Sequence, residues 1–181
     1  MPAVTESLEG WVSHTQFGAR NGRGCSQATF RLQDMMNWVE MNFDKGYALH
    51  LDMENTFSSI PLHQVIRMLP NIGLPDNVCH FVTVALTQAR VTDRGARQWL
   101  CPTSGVKQGC PLSPLLYTCF HEILLCLIRR VLSDVLVGDI SYIDDTTVVF
   151  TFEEDVRLGV AVILEQTSRL GLRLNPIKLV K

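Results

Sequence analysis

The stretch DISYIDDTTVVFT, residues 139–151, is the most informative part of the chain. Two runs rich in β-branched residues, 139–143 and 146–151, flank the acidic pair Asp144 and Asp145. Runs of this kind, separated by a short polar turn, are typical of a β-hairpin. We therefore expect a tight hairpin that carries both acids at or beside its tip.

A third acid, Asp52, ends the segment YALHLD, residues 47–52, whose side chains alternate as in a half-buried strand. If this strand lies beside the hairpin, three carboxylates meet, and their mutual repulsion requires a cation. Mg²⁺ fits because it takes oxygen ligands, and two such ions can clamp the attacking and leaving oxygens of a phosphoryl transfer. A purely structural polar turn is the alternative interpretation of Asp144 and Asp145, since Asp readily occupies turns.

Helices and further strands are predicted around these segments. Strands interspersed with helices, without regular βαβ repetition, favour an α+β fold in which helices pack on one face of a mixed sheet. The predicted elements are a short helix over 5–15, a helix from an N-cap at Ser26 to Gly46, short helices over 61–69 and 76–88, a basic hairpin over 89–100, a helix from an N-cap at Ser113 to about Leu132, a helix over about 154–170 that stops at Gly171, and an edge strand over 171–175.

The composition is that of one folded unit and not of a general polyanion binder. The 181 residues are 46% hydrophobic and carry a formal net charge of -2. Because affinity for nucleic acid comes largely from Lys and Arg, any such function must be local or assisted by other parts. The six cysteines show no zinc-ligand spacing, and we expect them to be reduced and mostly buried. Without a signal-like start or a long apolar run, we expect an intracellular chain, in the cytoplasm or nucleus, with no membrane segment.

Five segments follow one another in a particular order: QFGARNGRGC (16–25), LDMENTFSSIP (51–61), SGVKQGCPLSPLL (104–116), SYIDDTTVVF (141–150) and GLRLNPIK (171–178). Together they resemble the signature blocks of reverse transcriptases, most closely those of non-LTR retrotransposons. The match extends over nearly the whole chain, and its most specific parts are the glycine-rich block and the YIDD block.

The resemblance implies a right-hand polymerase palm, with a mixed or antiparallel sheet backed by helices. The chain would be a single domain over 1–181, with partial fingers at about 1–45 and within 62–104 and the palm at about 46–61 and 105–181. Upstream fingers segments and the thumb would lie outside it. The implied activity is RNA-directed DNA polymerisation, with an RNA template, a DNA primer and deoxynucleoside triphosphates as partners. The implied cofactor is two Mg²⁺ ions, with Mn²⁺ as the alternative.

By the same resemblance Asp52 and Asp144 bind both metals, Asp145 supports them, and the backbone carbonyl of Met53 is a further ligand. Lys178 matches a lysine that can protonate the leaving pyrophosphate as a general acid. A lysine facing solvent near a chain end is the simpler explanation of Lys178.

Other matched positions contact the nucleotide or the template and primer. Phe57 matches the bulky residue beneath the incoming sugar, where its ring would collide with a 2′-hydroxyl. Gln108 and Gly109 match the nucleotide-contacting block, and Gly105 and Tyr142 the template and primer side. Without the resemblance, Phe57 is an ordinary core aromatic and the glycine-rich block is a loop that leads into a helix.

Two arginines of the first block, Arg20 and Arg23, correspond to the basic fingers loop, where a guanidinium can grip a triphosphate or a template phosphate in a bidentate fork. Solvated surface arginines are the alternative. The sequence departs from the family at Ala19, often Phe, at Thr56-Phe57-Ser58, usually AFD, and at Ile143, usually Ala. No metal-binding carboxylate is lost. A palm without activity that binds RNA as a scaffold, and a metal-dependent phosphohydrolase, remain alternative functions.

Overall fold

The computed structural model describes residues 9–90, 103–107 and 109–180. It contains one four-stranded sheet, in the order β2-β3-β1-β4, and every pair of neighbouring strands is antiparallel. The strands are β1 (Tyr47–Leu51), β2 (Leu136–Tyr142), β3 (Asp145–Phe150) and β4 (Lys178–Val180), and the helices are α1 (Cys25–Asn42), α2 (Thr56–Ser59), α3 (Leu62–Met68), a 3₁₀ turn (Leu69–Ile72), α4 (Asp76–Thr87), α5 (Ser113–Val131) and α6 (Glu153–Arg169).

The acidic hairpin is formed by β2 and β3. Tyr142 faces Asp145 across the last pair of the ladder, so the chain turns through Ile143 and Asp144 alone. Ile143 has a φ of 62°, and Asp144 has no positive φ, which is the pattern of a type II′ turn. The predicted hairpin with both acids at its tip is therefore confirmed.

The main core lies between one face of the sheet and the helices α5 and α6. Leu49 and Phe150 project from this face, and Tyr117, Phe120 and other apolar residues of α5 pack against it with almost no exposure. At about 25 cal/mol per Å² of buried apolar surface, this cluster is the principal source of stability and holds β1 and β3 in place.

A second helix layer covers the opposite face, which differs from the expected one-sided arrangement. Val39 of α1 packs against Ala48 and Val149, whose side chains point away from the main core. Strand residues alternate between faces, and the strands β1 and β3 are apolar on both, so each face requires its own cover. The α+β class itself is confirmed.

Several element boundaries differ from their predictions. Helix α1 begins after Gly24, so Ser26 is not its cap, and it ends at Asn42. Ser113 is the first residue of α5 and its hydroxyl donates to the carbonyl of Lys107 at 2.6 Å. Residues 171–175 make only an isolated bridge, between Leu174 and Met53, and the edge strand is β4 further along. The predicted hairpin over 89–100 lies almost entirely outside the described residues.

The helices predicted over 61–69, 76–88 and 154–170 are confirmed within one or two residues, and Gly171 ends the last of them with a φ of 73°. The described cysteines are free, but of these only Cys119 is buried, so the expectation of mostly buried thiols is wrong for this part of the chain. Within the described ranges, none of the helices has the length and apolar character that crossing a bilayer requires.

Candidate functional site

Asp52 follows the last residue of β1 and is held by Asn175. The backbone N–H of Asn175 donates to the Asp52 carbonyl at 2.9 Å, and its side-chain amide donates to Asp52 Oδ2 at 2.9 Å. The next residue, Met53, is buried and bridges to Leu174. The segment after α6 therefore fixes both the backbone and the carboxylate of Asp52.

Asp144 lies in the hairpin turn and is half-buried. Its Oδ2 accepts a hydrogen bond from the hydroxyl of Thr56, a buried residue at the start of α2. Thr56 stands where the family usually has Ala, so this contact depends on one of the departures noted in the sequence. The same hydroxyl lies 3.3 Å from the Met53 carbonyl, which brings the turn and the end of β1 together.

Asp145 is the first residue of β3 and faces the end of β1. Leu51 pairs with Thr146 in the ladder, so the next positions outward are Asp52 and Asp145. Partial burial, and then the negative charges of Asp144 and Asp52, raise the pKa of Asp145 above its ordinary value. The three carboxylates are therefore near enough for their charges to act on one another.

Tyr117 of α5 lies beneath these carboxylates. Burial, and then the charges of Asp144, Asp145 and Asp52, raise the pKa of its phenol far above its ordinary value. Its hydroxyl is buried and meets no hydrogen-bond partner among the described residues. Tyr117 therefore stays a neutral phenol, and it offers no positive charge to compensate the acids.

The oxygen donors of the three acids and of the Met53 carbonyl suit a hard divalent cation. Across residues 9–90, 103–107 and 109–180, no group of three or more His, Cys, Asp or Glu side chains is arranged to hold a metal ion. Mg²⁺ commonly takes one or two protein carboxylates and fills its remaining positions with water and substrate phosphates. Partial burial raises the pKa of Asp145 most, and repulsion from Asp144 and Asp52 adds to it; a bound cation would relieve this repulsion.

An open cleft of about 570 Å³ borders Asp52 and Asp145 on the α1 side of the sheet. Asp52, Asp145, Tyr142 and Lys178 all line it. Lys178 begins β4, pairs with His50 of β1 and is exposed. The cleft therefore collects four of the residues that the sequence assigned to the site.

The two arginines of the first block have different surroundings. The Arg20 side chain is 7% exposed, and its guanidinium pairs with Glu9 and donates to the carbonyls of Ser13 and Gln16. The nearby Arg23 donates to the His14 carbonyl at 2.6 Å and lies over the ring of Phe17, 5.5 Å from its centroid. The Arg20 guanidinium is thus bound within the protein, and its assignment to phosphate stays a prediction.

Phe57 and Gly105 lie together on the other side of the carboxylates. The Phe57 ring tilts against Tyr117, with 5.6 Å between centroids. Gly105 has a φ of 85°, and a Cβ there would lie 2.8 Å from Ser58 Cα, so glycine is required by packing as well as by conformation. At Gly109 a Cβ would meet nothing within 4 Å. Gln108 lies outside the described residues.

A buried network of polar side chains connects α5 to both strands of the hairpin. His121 of α5 contacts the Thr146 hydroxyl at 2.8 Å, and Thr146 contacts the Ser141 hydroxyl at 2.9 Å. Burial lowers the pKa of His121 to about 4, although Asp139 opposes the shift. The imidazole is therefore neutral at pH 7, and its hydrogen bond to Thr146 links α5 to β3.

A network of charged side chains around Arg129 lies next to this polar network. Arg129 bonds to Glu122 at 2.5 Å and, through two nitrogens, to Asp139 at 2.7 Å. Arg129 also donates to the Thr15 hydroxyl at 2.8 Å. The network ties α5 to β2 and to the chain before the first block.

Two residues that hold the carboxylates were missed by sequence reasoning, namely Asn175 and Thr56. Each belongs to a quoted block, but its partner lies in another block. The contacts of Asn175 with Asp52 and of Thr56 with Asp144 join residues 123 and 88 positions apart. Only the departure at Thr56 gave a signal, because a hydroxyl had replaced an apolar residue beside the acids.

The sequence matches, over residues 3–181, the family model described as Reverse transcriptase (RNA-dependent DNA polymerase). One similar protein is the Retrovirus-related Pol polyprotein from type-1 retrotransposable element R2 of Nasonia vitripennis, 23% identical over 164 residues. Another is the polyprotein from type-2 retrotransposable element R2DM of Drosophila melanogaster, 25% identical over 168 residues. The matches cover 86% of this chain but only 16% and 15% of those proteins.

Solved structures with the same fold include telomerases. The apo telomerase of Candida tropicalis superposes with a TM-score of 0.79 at 10% identity, over 99% of this chain and 36% of that one. The telomerase of Candida albicans, in complex with the TWJ fragment of telomeric RNA, gives 0.75 at 14% identity, over 97% of this chain and 32% of that one. These similarities confirm the palm and fingers architecture that the five blocks implied.

Proposed function

Because the chain belongs to the reverse transcriptase (RNA-dependent DNA polymerase) family, we propose that it supplies the centre for RNA-templated addition of deoxynucleotides to the 3′-hydroxyl of a DNA primer. The observation that carries this proposal is the convergence of three carboxylates at one end of the sheet, where Asp52 follows β1, Asp144 lies in the hairpin turn and Asp145 begins β3. The reaction class is inferred from the family, and the three carboxylates support our choice of this end of the sheet as the active site.

We assign Asp52 and Asp144 to two divalent ions, Mg²⁺ or Mn²⁺, with the Met53 carbonyl as a further oxygen donor. When bound, such ions lower the charge on the attacking and leaving oxygens of an in-line phosphoryl transfer. Asn175 and Thr56 hold the two carboxylates in fixed orientations, which limits the reorganisation needed when a cation arrives. Asp145 adds negative charge without a side-chain partner of its own among the described residues.

Lys178 is the proposed proton donor to the leaving pyrophosphate. It lines the same cleft as Asp52 and Asp145, and the cleft is open to solvent, so an exposed ammonium can reach a bound triphosphate. Tyr142 and Gly105 are assigned to the template and primer, and Gln108 and Gly109 to the nucleotide. The open space beside Gly109 supports close approach of a ligand to the backbone.

Primer extension by the 181-residue chain tests the proposal. A DNA primer annealed to an RNA template should lengthen when Mg²⁺ and deoxynucleoside triphosphates are added together, and chelation of the cation should stop it. Omission of the template strand is the control for untemplated addition. RNA binding that is independent of metal, without any extension, would favour the scaffold function instead.

Phe57→Val tests the predicted selection against ribonucleotides. A smaller side chain beneath the sugar removes the collision with the 2′-hydroxyl, and a contact of this size contributes about 1–3 kcal/mol to discrimination. We therefore expect the ratio of kcat/KM for a deoxynucleotide over its ribonucleotide to fall about tenfold or more. Steady-state extension with each nucleotide measures the ratio.

Phe152→Val is the matched control, because Phe152 lies at the start of α6 and is 54% exposed. It should leave the ratio unchanged. An unaltered ratio in the Phe57 variant as well would assign Phe57 to packing against Tyr117 and remove it from the nucleotide site.

A further inference from the structure

Residues 13–18, which we call the buttress segment, lie along the outer edge of β2 beside the hairpin turn. Phe17 donates its backbone N–H to the Ser141 carbonyl at 2.8 Å, and Ser141 donates its own to the Thr15 carbonyl at 2.9 Å. Gln16 and Ser141 form a parallel bridge between these two bonds. The buttress segment therefore extends the sheet by one short contact, next to the acidic tip.

The Gln16 side chain is fully buried and binds the turn through its amide. Its Oε1 accepts the backbone N–H of Ile143 at 2.9 Å and that of Gly18 at 2.8 Å. Its Nε2 donates to the Ile143 carbonyl at 3.1 Å. One side chain thus satisfies both polar backbone groups of the first central residue of the turn.

Ile143 occupies a conformation that its side chain disfavours. Its φ of 62° is left-handed, and the first position of a type II′ turn is normally glycine. A β-branched residue there is an outlier that persists only when its surroundings determine it. The clamp from Gln16 is the contact that provides this determination, because it binds the backbone on both sides of the Ile143 Cα.

Gly18 completes the clamp by allowing close approach. A Cβ at Gly18 would lie 2.4 Å from both the backbone nitrogen and Cγ1 of Ile143. Since real side chains do not tolerate such a distance, the turn and the buttress segment are in backbone contact. The Ile143 side chain packs into the space that glycine leaves.

We propose that Gln16 is a positioning residue for the metal carboxylates: it holds Ile143 in its left-handed conformation and thereby aims Asp144, the next residue. The inference rests on the proposed function for its consequence, metal affinity, but the clamp itself concerns only the backbone of the turn. Gln16 touches no substrate and acts through residue 143.

Gln16→Met is the primary variant, because methionine has nearly the same length and volume but no amide. We expect the full chain to bind Mn²⁺, followed by electron paramagnetic resonance of the free ion, about tenfold more weakly. Introducing Ile143→Gly together with Gln16→Met should restore most of the affinity, since glycine adopts the left-handed conformation without a clamp. Gln16→Asn, which keeps the amide but shortens its reach by one methylene, should give a smaller loss and remains measurable if Gln16→Met does not fold.

Gln166→Met is the matched control: Gln166 is a buried glutamine of α6, 4% exposed. It should leave Mn²⁺ affinity unchanged and change the melting temperature little, because the Gln166 amide oxygen has no hydrogen-bond partner among the described residues. Native-state hydrogen exchange gives a second readout that needs no metal, because loss of the amide should deprotect the Ile143 and Gly18 N–H groups selectively.

Wild-type Mn²⁺ affinity in both Gln16 variants, or a loss that Ile143→Gly does not restore, would overturn the positioning role. The proposed function is judged separately, by the wild-type chain against Asp144→Asn. If these two bind Mn²⁺ equally, the proposed function fails. The clamp is judged by hydrogen exchange alone, and unchanged exchange at Ile143 in Gln16→Met would overturn it.

Discussion

Asp144→Asn should reduce primer extension about 10³-fold or more, the largest change in activity that the structure predicts for a single substitution. Loss of one negative oxygen donor from a two-metal centre removes several kcal/mol of transition-state stabilisation, and about 4 kcal/mol corresponds to a factor of 10³. Asparagine keeps an oxygen that can accept the Thr56 hydroxyl, so the turn should remain folded. Single-turnover extension at saturating Mg²⁺ measures the effect.

Asp134→Asn is the matched control for this substitution. Asp134 is an exposed acid just before β2, at the end of the hairpin opposite the turn, and it accepts a hydrogen bond from Ser133 at 3.0 Å. It should extend the primer at the wild-type rate. Equal rates for both variants would show that the carboxylate of Asp144 has no part in catalysis, whatever the family implies.

Arg129→Met should lower the free energy of unfolding by about 3–5 kcal/mol, the largest loss of stability that we expect. Glu122 and Asp139, whose side chains are only 3% and 5% exposed, depend on this guanidinium. Methionine fills much of the volume but leaves two buried carboxylates without a cation. Urea unfolding followed by circular dichroism gives the change directly.

Arg130→Met provides the comparison, because Arg130 is the neighbouring residue on α5 and is exposed. Its substitution should change stability by no more than about 0.5 kcal/mol, as for most surface sites. A loss below about 1 kcal/mol in Arg129→Met would mean that the network contributes little and that Glu122 and Asp139 find other compensation. A substitution that removes all three charges would then be neutral or stabilising.

The elements that sequence reasoning placed correctly are those whose signal is local. Alternation around Asp144 and before Asp52, and the long apolar period after Ser113, fix strands and helix from neighbouring residues alone. The contacts that aim the acids are different in kind, since Gln16 and Ile143 are 127 positions apart. No local pattern indicates such a pairing. From the sequence, Gln16 in the segment QFGARNGRGC looks like an ordinary loop residue.

Arg20 illustrates the same limit for charged residues. Its position in a basic block favoured a phosphate contact, yet its guanidinium is almost fully enclosed by Glu9 and two backbone carbonyls. Whether an arginine faces solvent or protein depends on where its partners lie in the fold, and spacing along the chain does not carry that information. The edge strand was misplaced for a related reason, because GLRLN and the following residues both satisfy strand preferences.

The central position of β1 determines when the site can exist during synthesis. Contacts of this strand with β3 span 97 residues, as between His50 and Thr147, and the Asn175 contact to Asp52 spans 123. When β1 leaves the ribosome, its strand partners have not yet been synthesised. The apolar strand therefore stays unpaired on both edges until about 97 further residues have followed. We expect nascent intermediates to be exposed to aggregation and chaperones in this interval, and the acids to assemble only near its end.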